Sequence, residues 1–261
     1  MPRLCHKVVV VTGAARGQGA AAATALAEAG AHVVALDVVD PDTSQPPGMV
    51  VHRRLDVTDA DGWAALAAWL RERYGRVDAL VNNAGITLRH RVGEVDPDEF
   101  DRVHRVNTTG PLLGIQALLP LMQRGASIVN VGSVAALTGH YPVAYTSSKW
   151  ALRGLSAAAA LELGPRGIRV NTLHPWFVET PMTASAPEAM RRATVEQSPL
   201  GRAGTVDDIA PLVVFLVSDE SSFITGAEIP VDGGYSGHGG AKAVSDALRS
   251  GDGPPGAGGR V

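Results

Sequence analysis

The sequence has little of several features that mark large classes of protein. Cys5 is its one cysteine, so no disulfide can form within the chain, and a single free thiol fits a reducing compartment. Lysines and arginines number 23 against 26 aspartates and glutamates, which gives a net charge of −3. Because nucleic acids and anionic membrane surfaces attract a basic excess, neither is an expected partner.

Long apolar runs and metal-binding patterns are also missing. No apolar stretch approaches the roughly 20 residues that span a membrane, and residues 1–7 lack the charged-then-apolar pattern of a signal peptide. The histidines are scattered and the cysteine stands near one terminus, so no spacing suits a metal site. We therefore expect a cytoplasmic protein without a bound metal.

The sequence does contain a regular alternation of strand and helix patterns. Runs rich in β-branched residues predict strands at 8–11, 32–36, 50–55, 77–81, 127–131, 168–173 and within 224–231. Apolar spacing predicts helices at 20–29, 58–74, 98–124, from just after 142 to 163, and at 206–217. Right-handed crossovers then give an α/β fold, a doubly wound parallel sheet of about seven strands with helices on both faces.

A single domain is expected over residues 1–236. The stretch 175–204 is rich in Pro, Thr, Ser and Met, and its length predicts a substrate lid. Residues 40–48 predict a surface loop, and the helix at 98–124 is expected to kink at Gly110-Pro111. Residues 237–261 form a Gly- and Pro-rich tail that is expected to be partly disordered.

A glycine-rich turn with the sequence TGAARGQG at 12–19 joins the first strand to the first helix. Glycines let the backbone approach a pyrophosphate, and the helix N-terminus supplies free N–H groups. Asp37, after the second strand, is placed to accept hydrogen bonds from adenosine ribose hydroxyls and to repel a 2′-phosphate. Val38 adds no base, and Arg16 is the one cation that could reach such a phosphate. The pattern favours NAD over NADP.

A phenol, an ammonium and a hydroxyl lie close together later in the sequence. Tyr145 and Lys149 are four positions apart and fall on one helix face, with Ser133 upstream at the end of a strand. A nearby ammonium favours the phenolate, which predicts a proton donor and acceptor matched to neutral pH. Alone this spacing is weak, but the glycine turn, Asn83 and Pro175 also follow strand ends, where such sheets bind ligands. The combination suits hydride transfer between a nicotinamide and a carbonyl or alcohol.

With these motifs in place, the chain resembles the short-chain dehydrogenase/reductase family over about residues 7–234. The motifs that carry the resemblance are, in order, TGxxxGxG at 12–19, Asp56-Val57, NNAG at 82–85, Asn107, Ser133, Tyr145-x-x-x-Lys149, residues 175–180 and VDGG at 231–234. The later segments are most similar to bacterial NAD-dependent hydroxysteroid and related secondary-alcohol dehydrogenases. The resemblance implies a Rossmann-type fold and a homo-oligomer, with a tetramer favoured over a dimer.

The resemblance also implies roles for the matching residues. Tyr145 is expected to be the general acid in reduction and the base in oxidation, Lys149 to lower its pKa, and Ser133 to hydrogen-bond the substrate oxygen. Asn107 is expected to hold a water that links Lys149 to solvent. The residues implied to contact NAD are Gly13, Arg16, Gln18, Gly19, Asp37, Val38, Asp56, Val57, Asn83, Ala84, Gly85, Tyr145, Lys149, Pro175, Val178 and Thr180. Residues expected to brace the sheet instead are Thr12 and Asn82.

Two positions depart from the family pattern. Gln18 stands where an aliphatic residue is usual, with little expected effect, and Trp176 replaces the glycine that normally follows Pro175. An indole at the pocket wall removes space and adds a flat apolar surface, so we expect Trp176 to reshape the substrate pocket unless it packs under the lid. The candidate pocket residues are Ile86, Val134, Leu137, His140, Tyr141, Trp176 and Met182. His140 is either a polar anchor for the substrate or, as is more common for a lone loop histidine, solvated, and His174 is expected to be solvated as well.

Three functions are compatible with the sequence. The leading one is an NAD-dependent oxidoreductase that interconverts a hydrophobic ketone and a secondary alcohol, of steroid or similar bulk. A second is an NADPH-dependent 3-oxoacyl-carrier-protein reductase, against which Asp37 and the mild acidity count. A third is a cofactor-binding regulator without turnover, which would not require the complete set of Ser133, Tyr145 and Lys149.

Overall fold

A computed structural model describes residues 3–41 and 50–249. The strands are β1 (Val8–Thr12), β2 (His32–Asp37), β3 (Val50–Arg54), β4 (Ala79–Asn82), β5 (Ser127–Val131), β6 (Arg169–Pro175) and β7 (Glu228–Val231). The helices are α1 (Gly17–Glu28), α2 (Ala60–Tyr74), α3 (Pro97–His104), α4 (Gly110–Leu118), α5 (Val143–Leu163), α6 (Glu188–Gln197), α7 (Val206–Val217) and α8 (Ala241–Arg249).

The seven strands form one parallel sheet in the order β3-β2-β1-β4-β5-β6-β7. The predicted doubly wound sheet is therefore confirmed. The chain first builds outward from β1 to β3, then returns to add β4 on the other side of β1. The strand order reverses between β1 and β4, and the crevice at that switch point is where such sheets bind ligands.

Each face of the sheet has its own apolar core. Along β1, Val8 and Val10 pack with Trp63 of α2 in one core, whereas Val9 and Val11 belong to the core on the opposite face. The first core also contains side chains of α4 and α5, and the second those of α1 and α7. Because successive side chains of a strand point to opposite faces, an unbroken apolar run is what a strand covered on both sides requires.

The helix predicted at 98–124 is interrupted. It consists of α3, a π-helical turn at Arg105–Thr109, α4, and a 3-10 turn at Leu119–Leu121. Pro111 has no N–H and so cannot bond the carbonyl four residues earlier. The residue before it, Gly110, donates its N–H to the Arg105 carbonyl five residues back, which is the hydrogen bond of a π-helix. A single helix was thus a wrong prediction, and the deformation lies just before the predicted kink. The π-helical turn contains Asn107.

Smaller differences concern element ends and the tail. The first helix begins at Gly17, three residues before its predicted start. Strand β6 ends at Pro175, two residues after its predicted end. The 175–204 stretch contains α6, and part of the predicted tail folds as α8, a helix without buried residues. Residues 250–261 of the tail, and 42–49 of the predicted loop, lie outside the described residues.

Within the two described ranges, no helix is both long and apolar enough to cross a membrane. Nor do these ranges bring three or more His, Cys, Asp or Glu side chains together in a way that could hold a metal ion.

Candidate active site

The carboxyl-terminal edge of the sheet gathers the predicted functional residues. The glycine turn follows β1, Asp37 ends β2, Asn83 follows β4, Ser133 follows β5 and Pro175 ends β6. Because all of these strands are parallel, their carboxyl ends share one edge. The structure therefore brings the residues predicted to bind the nucleotide and those predicted to be catalytic to one crevice.

Tyr145 and Ser133 meet at this edge. The Ser133 side chain is close enough to the Tyr145 hydroxyl to act on the pKa of the phenol, and both residues line one cavity. Ser133 is in turn fixed because its Oγ accepts the Ala135 N–H at 3.1 Å. A phenol and a hydroxyl that share a cavity wall can both hydrogen-bond one carbonyl or alcohol oxygen.

Lys149 lies one helical turn beyond Tyr145 on α5 and is buried. Its Nζ donates to the Val131 carbonyl oxygen at 2.8 Å and stands 5.8 Å from the centroid of the Tyr145 ring. Burial lowers the pKa of Lys149 to about 8, because the charged ammonium loses its hydration. At that value the amine can change its protonation close to physiological pH.

The spacing of Tyr145 and Lys149 predicted a lowered phenol pKa, and the structure shows the opposite direction. Burial raises the pKa of Tyr145, and the Ser133 side chain opposes this only in part. The phenolate would lose water contacts, while the ammonium is directed to the Val131 carbonyl and its own charge is disfavoured. The polypeptide alone therefore keeps Tyr145 protonated.

Asn107, in the π-helical turn, fastens two segments of the site together. Its Oδ1 accepts the Ile86 N–H at 2.9 Å, and its Nδ2 donates to the Ile86 carbonyl and to Ser148 Oγ, each at 2.9 Å. A methyl group at Gly85 would lie 3.3 Å from Asn107 Oδ1 and 3.6 Å from Lys149 Nζ, so the glycine permits this close approach. Ser148, which sequence reasoning missed, joins Asn107 to the catalytic helix.

His174 is a positioning residue that sequence reasoning misjudged. It was expected to be a solvated loop histidine, but it lies on β6 and is fully buried. Its Nδ1 donates to the Ser133 carbonyl oxygen at 2.9 Å, while burial lowers the pKa of the ring and favours the neutral form. The imidazole therefore fixes the backbone that carries the Ser133 hydroxyl.

The glycine turn is held by a network from the loop after β4. Asn83 Nδ2 donates to the carbonyl oxygens of Thr12 and Gly13 at 3.0 and 2.9 Å, and Thr12 Oγ1 accepts the backbone N–H groups of Asn83 and Ala84. Asn82 donates to Asn130 Oδ1 at 2.8 Å within the sheet. Thr12 and Asn82 thus brace the sheet, as predicted.

The start of α1 fits a dinucleotide pyrophosphate. Its N-cap, Arg16, makes no side-chain cap hydrogen bond, and the first turn contains no acidic residue, so the helix offers N–H groups and dipole to an anion. Asp37 lies opposite the turn, where its carboxylate accepts the N–H groups of Ala15 at 3.0 Å and Val38 at 2.7 Å. These groups have the chemistry needed to hold phosphate on one side and ribose hydroxyls on the other.

Other predicted cofactor residues lie along the same crevice, with local partners of their own. Asp56 Oδ1 accepts from the Thr58 backbone and hydroxyl, while the cap of α2 is Asp59. Val57 is buried and its carbonyl accepts the Trp63 indole N–H at 2.9 Å. On the far side, Val178 is paired with Gly204 in a β-bridge, and the Thr180 N–H bonds Thr183.

A cavity opens beside Tyr145 and Ser133, with about 580 Å³ of empty space that is partly open to solvent. The described residues that line it are Thr87, Arg89, Ser133, His140, Pro142, Tyr145, Trp176, Phe177, Met182, Thr183, Met190 and Thr194. Of the seven predicted pocket residues, three are among these; Val134 is fully buried, and Ile86, Leu137 and Tyr141 are outside the lining.

Trp176 forms an aromatic wall of this cavity. Its indole stacks on Tyr235 with ring centroids 4.0 Å apart and 12° between the planes, and it meets the His140 ring edge-on at 5.7 Å. The Tyr235 stack comes from the chain beyond β7, which sequence reasoning had not connected with the pocket. Burial lowers the pKa of His140, so this end of the wall is uncharged at neutral pH.

Arg89 is a pocket residue that sequence reasoning missed. It lies in the loop after β4 and reaches across to the 175–204 stretch, where Nη1 donates to Ser185 Oγ at 3.0 Å and Nη2 to the Met182 carbonyl at 3.1 Å. No spacing or motif distinguishes this arginine from its neighbour Arg91. Only the folded loop shows that it lines the cavity.

The fold and this constellation define an oxidoreductase, and comparison with known proteins identifies the family. A family model described as "Enoyl-(Acyl carrier protein) reductase" matches residues 13–236. The chain is similar to the solved structure of a short-chain dehydrogenase/reductase, glucose/ribitol dehydrogenase, from Brucella melitensis, with a TM-score of 0.83 and 31% identity over 90% of this chain and 99% of that one. The chain belongs to the short-chain dehydrogenase/reductase family.

Similar curated proteins act on secondary alcohols or ketones. Trans-4-hydroxycyclohexanecarboxylate dehydrogenase of Sinomonas cyclohexanicum is 41% identical, over 89% of this chain and 93% of that protein. A 3-alpha-(or 20-beta)-hydroxysteroid dehydrogenase of Mycobacterium bovis is 41% identical, over 89% and 90%. The 3-oxoacyl-[acyl-carrier-protein] reductase FabG of Thermotoga maritima is 40% identical, over 89% and 98%. These relatives support an oxidoreductase that acts on alcohol or ketone groups.

Proposed function

We propose that the protein is an NAD(H)-dependent oxidoreductase that interconverts a bulky, hydrophobic cyclic ketone and its secondary alcohol. The observation that carries this proposal is that the side chains of Tyr145 and Ser133 both line one largely apolar cavity. The alicyclic and steroid alcohols named for two of the relatives agree with such a cavity.

In the proposed mechanism the substrate oxygen sits between the two hydroxyls. Ser133 donates a hydrogen bond to the carbonyl, and Tyr145 transfers its proton to that oxygen during reduction and recovers it during oxidation. Bound nicotinamide dinucleotide would supply or accept the hydride. The raised pKa of Tyr145 keeps the proton available for reduction, while oxidation requires added positive charge, such as Lys149 in its ammonium form.

The expected proton route continues through the buried amine. Lys149, with a pKa of about 8, is suited to exchange a proton with the neighbouring phenol. Asn107 fixes the segment beside it and, on this proposal, orients a water that connects Lys149 to solvent. Val178 and Thr180 are proposed to meet the nicotinamide carboxamide from the 175–204 stretch.

NAD is proposed as the cofactor because of Asp37. Its carboxylate faces the glycine turn through the Ala15 and Val38 N–H groups, and a 2′-phosphate beside it would be repelled. Arg16, exposed in the same turn, is the feature that would favour NADP. The FabG relative and this arginine together support the second candidate, an NADPH-dependent reductase of 3-oxoacyl chains.

The test is initial rates with NADH and with NADPH on a panel of alicyclic and steroid ketones and on acetoacetyl-coenzyme A. We expect turnover of cyclic ketones with NADH, and a fall of about 100-fold or more in kcat/KM for Tyr145→Phe. Tyr74→Phe is the matched control, because the Tyr74 ring at the end of α2 packs on Trp69 and His32, none of which lines the cavity; it should stay within about threefold.

Each other outcome selects a different function. NADPH preference with acetoacetyl-coenzyme A turnover would establish the second candidate instead. Cofactor binding without turnover of any substrate would contradict catalysis and favour a regulator.

A further inference from the structure

Arg89 is held against the cavity by the segment that covers it. Both of its partners, Ser185 and the Met182 carbonyl, belong to the 175–204 stretch, so the guanidinium is fixed at the boundary between loop and lid. These two bonds use one N–H on each terminal nitrogen at most. A guanidinium has further N–H donors, and Arg89 shares the cavity lining with Tyr145 and Ser133.

The charge of Arg89 is not balanced nearby. Among the described residues it forms no salt bridge, whereas Arg191 pairs with Glu179 and Arg153 with Glu228. The described lining of the cavity contains no aspartate or glutamate. Arg89 is half-buried, and it belongs to the lining of a largely apolar cavity whose described lining holds no carboxylate, so its free N–H groups can pair with an anionic group of a ligand.

We propose that Arg89 is a specificity-determining residue that pairs with a carboxylate on the substrate. The preferred substrates are then alicyclic oxo-acids and hydroxy-acids, with the ring against Trp176 and Phe177, the reacting oxygen at Tyr145, and the carboxylate at Arg89. A planar guanidinium suits this pairing, since its parallel N–H groups can bond both carboxylate oxygens. This inference rests on the proposed ketone and alcohol chemistry.

A purely structural role for Arg89 makes a different prediction. If the arginine only fastened the lid through Ser185 and Met182, its loss would affect every substrate equally. Two comparisons separate these roles. The first uses two substrates that differ in the charged group, and the second uses one variant that removes the charge of Arg89 and another that removes only its contact with the lid. Suitable probes are 4-oxocyclohexanecarboxylate and its methyl ester, which share the ring and the ketone.

We would measure kcat/KM for both probes with wild type, Arg89→Gln and Ser185→Ala. Wild type should prefer the acid by roughly 10-fold or more. Arg89→Gln should lower kcat/KM for the acid by roughly 10- to 100-fold, because it removes a charge-assisted hydrogen bond. The same variant should change kcat/KM for the ester by less than about threefold. Ser185→Ala, which removes a lid contact and keeps the charge, should leave the acid-to-ester ratio unchanged.

Equal losses for acid and ester in Arg89→Gln would overturn the inference in favour of a lid contact. So would a wild type that reduces the ester as well as the acid, and in both cases the ketone reductase itself would stand. If wild type reduced neither probe nor any other cyclic ketone with either cofactor, the proposed function would fail, and this inference with it.

Discussion

Burial sets the protonation of the two central residues in opposite directions. Tyr145 has a raised pKa and Lys149 a lowered one, so each side chain is held closer to its neutral form than it would be in water. A neutral phenol beside a readily deprotonated amine is a pair that can pass a proton in either direction. Burying the Lys149 ammonium lowers the free energy of unfolding, and this effect can be measured.

Lys149→Met should make the folded protein more stable at pH 7 while abolishing turnover. A lysine whose folded pKa is lowered from 10.5 to about 8 binds fewer protons than in the unfolded chain between those values, so wild-type stability rises with pH across that window. Below pH 8 the buried ammonium lowers the unfolding free energy of wild type by about 3 kcal/mol, and Lys149→Met removes this penalty. The variant also loses the hydrogen bond to Val131, which takes back about 1 kcal/mol. We expect a net gain of about 2 kcal/mol at pH 7.

Urea unfolding of both proteins at pH 7, 8.5 and 10 checks this expectation. The advantage of Lys149→Met should shrink steadily as the pH rises from 8 toward 10.5. A difference that is constant with pH would show that Lys149 titrates normally in the folded state.

At the scale of elements, the contact between α1 and the β1 turn depends on Gly19. A methyl group there would stand 2.0 Å from the Gly13 carbonyl oxygen and 2.4 Å from Asn83 Nδ2. Gly19→Ala should therefore displace α1 and weaken NADH binding at least about 10-fold, with a net loss of about 1–2 kcal/mol of stability after the gain in helix propensity. Fluorescence titration with NADH and urea unfolding measure the two effects.

Gly93→Ala is the control for that variant, because a methyl group at Gly93 meets no described atom within 4 Å. It should bind NADH as wild type does. Unchanged NADH affinity in Gly19→Ala would contradict a fixed approach of α1 to the turn.

The elements also show which information was present in the sequence. Strand order and the glycine turn were predictable because β-branched runs and glycine spacing are local patterns with one common solution. The π-helical turn was not, since Gly110-Pro111 predicts an interruption but not its form, and the contacts of Asn107 with Ile86 and Ser148 join segments distant in sequence. The burial of His174 likewise depends on its packing over Gly132, where a methyl group would meet its Nδ1 at 2.7 Å.

The same distinction applies to the catalytic and pocket residues. Tyr145 and Ser133 were found because their residue types and spacing belong to a recognisable motif. Arg89 and Tyr235 were not, because they come to the cavity from segments distant in sequence and carry no local signal. The direction of the Tyr145 pKa shift was missed for a related reason: spacing places two groups on one face but does not tell how deeply they are buried.

At the scale of the whole molecule, α5 presents a face that none of the described residues covers. Leu161 is 82% exposed and Trp150 is 45% exposed, and Gly154, Ala157 and Ala158 are exposed between them. These positions recur at helical spacing, so they form one stripe of small and apolar side chains along the helix. Small residues allow a second helix to approach closely, so we propose this face as the contact of the homo-oligomer that the family resemblance implies.

Leu161→Arg should therefore lower the mass of the particle in solution. We expect wild type to elute at about four times the chain mass of 27.1 kDa, and the variant to shift toward dimers or monomers because a buried unpaired charge opposes association. Light scattering after size exclusion measures the mass directly. Val92→Arg is the control, since Val92 is 80% exposed in the loop after β4 and is not part of the α5 stripe, so it should not alter the mass. A monomeric wild type, or an unchanged mass for Leu161→Arg, would show that this face of α5 is not a subunit interface.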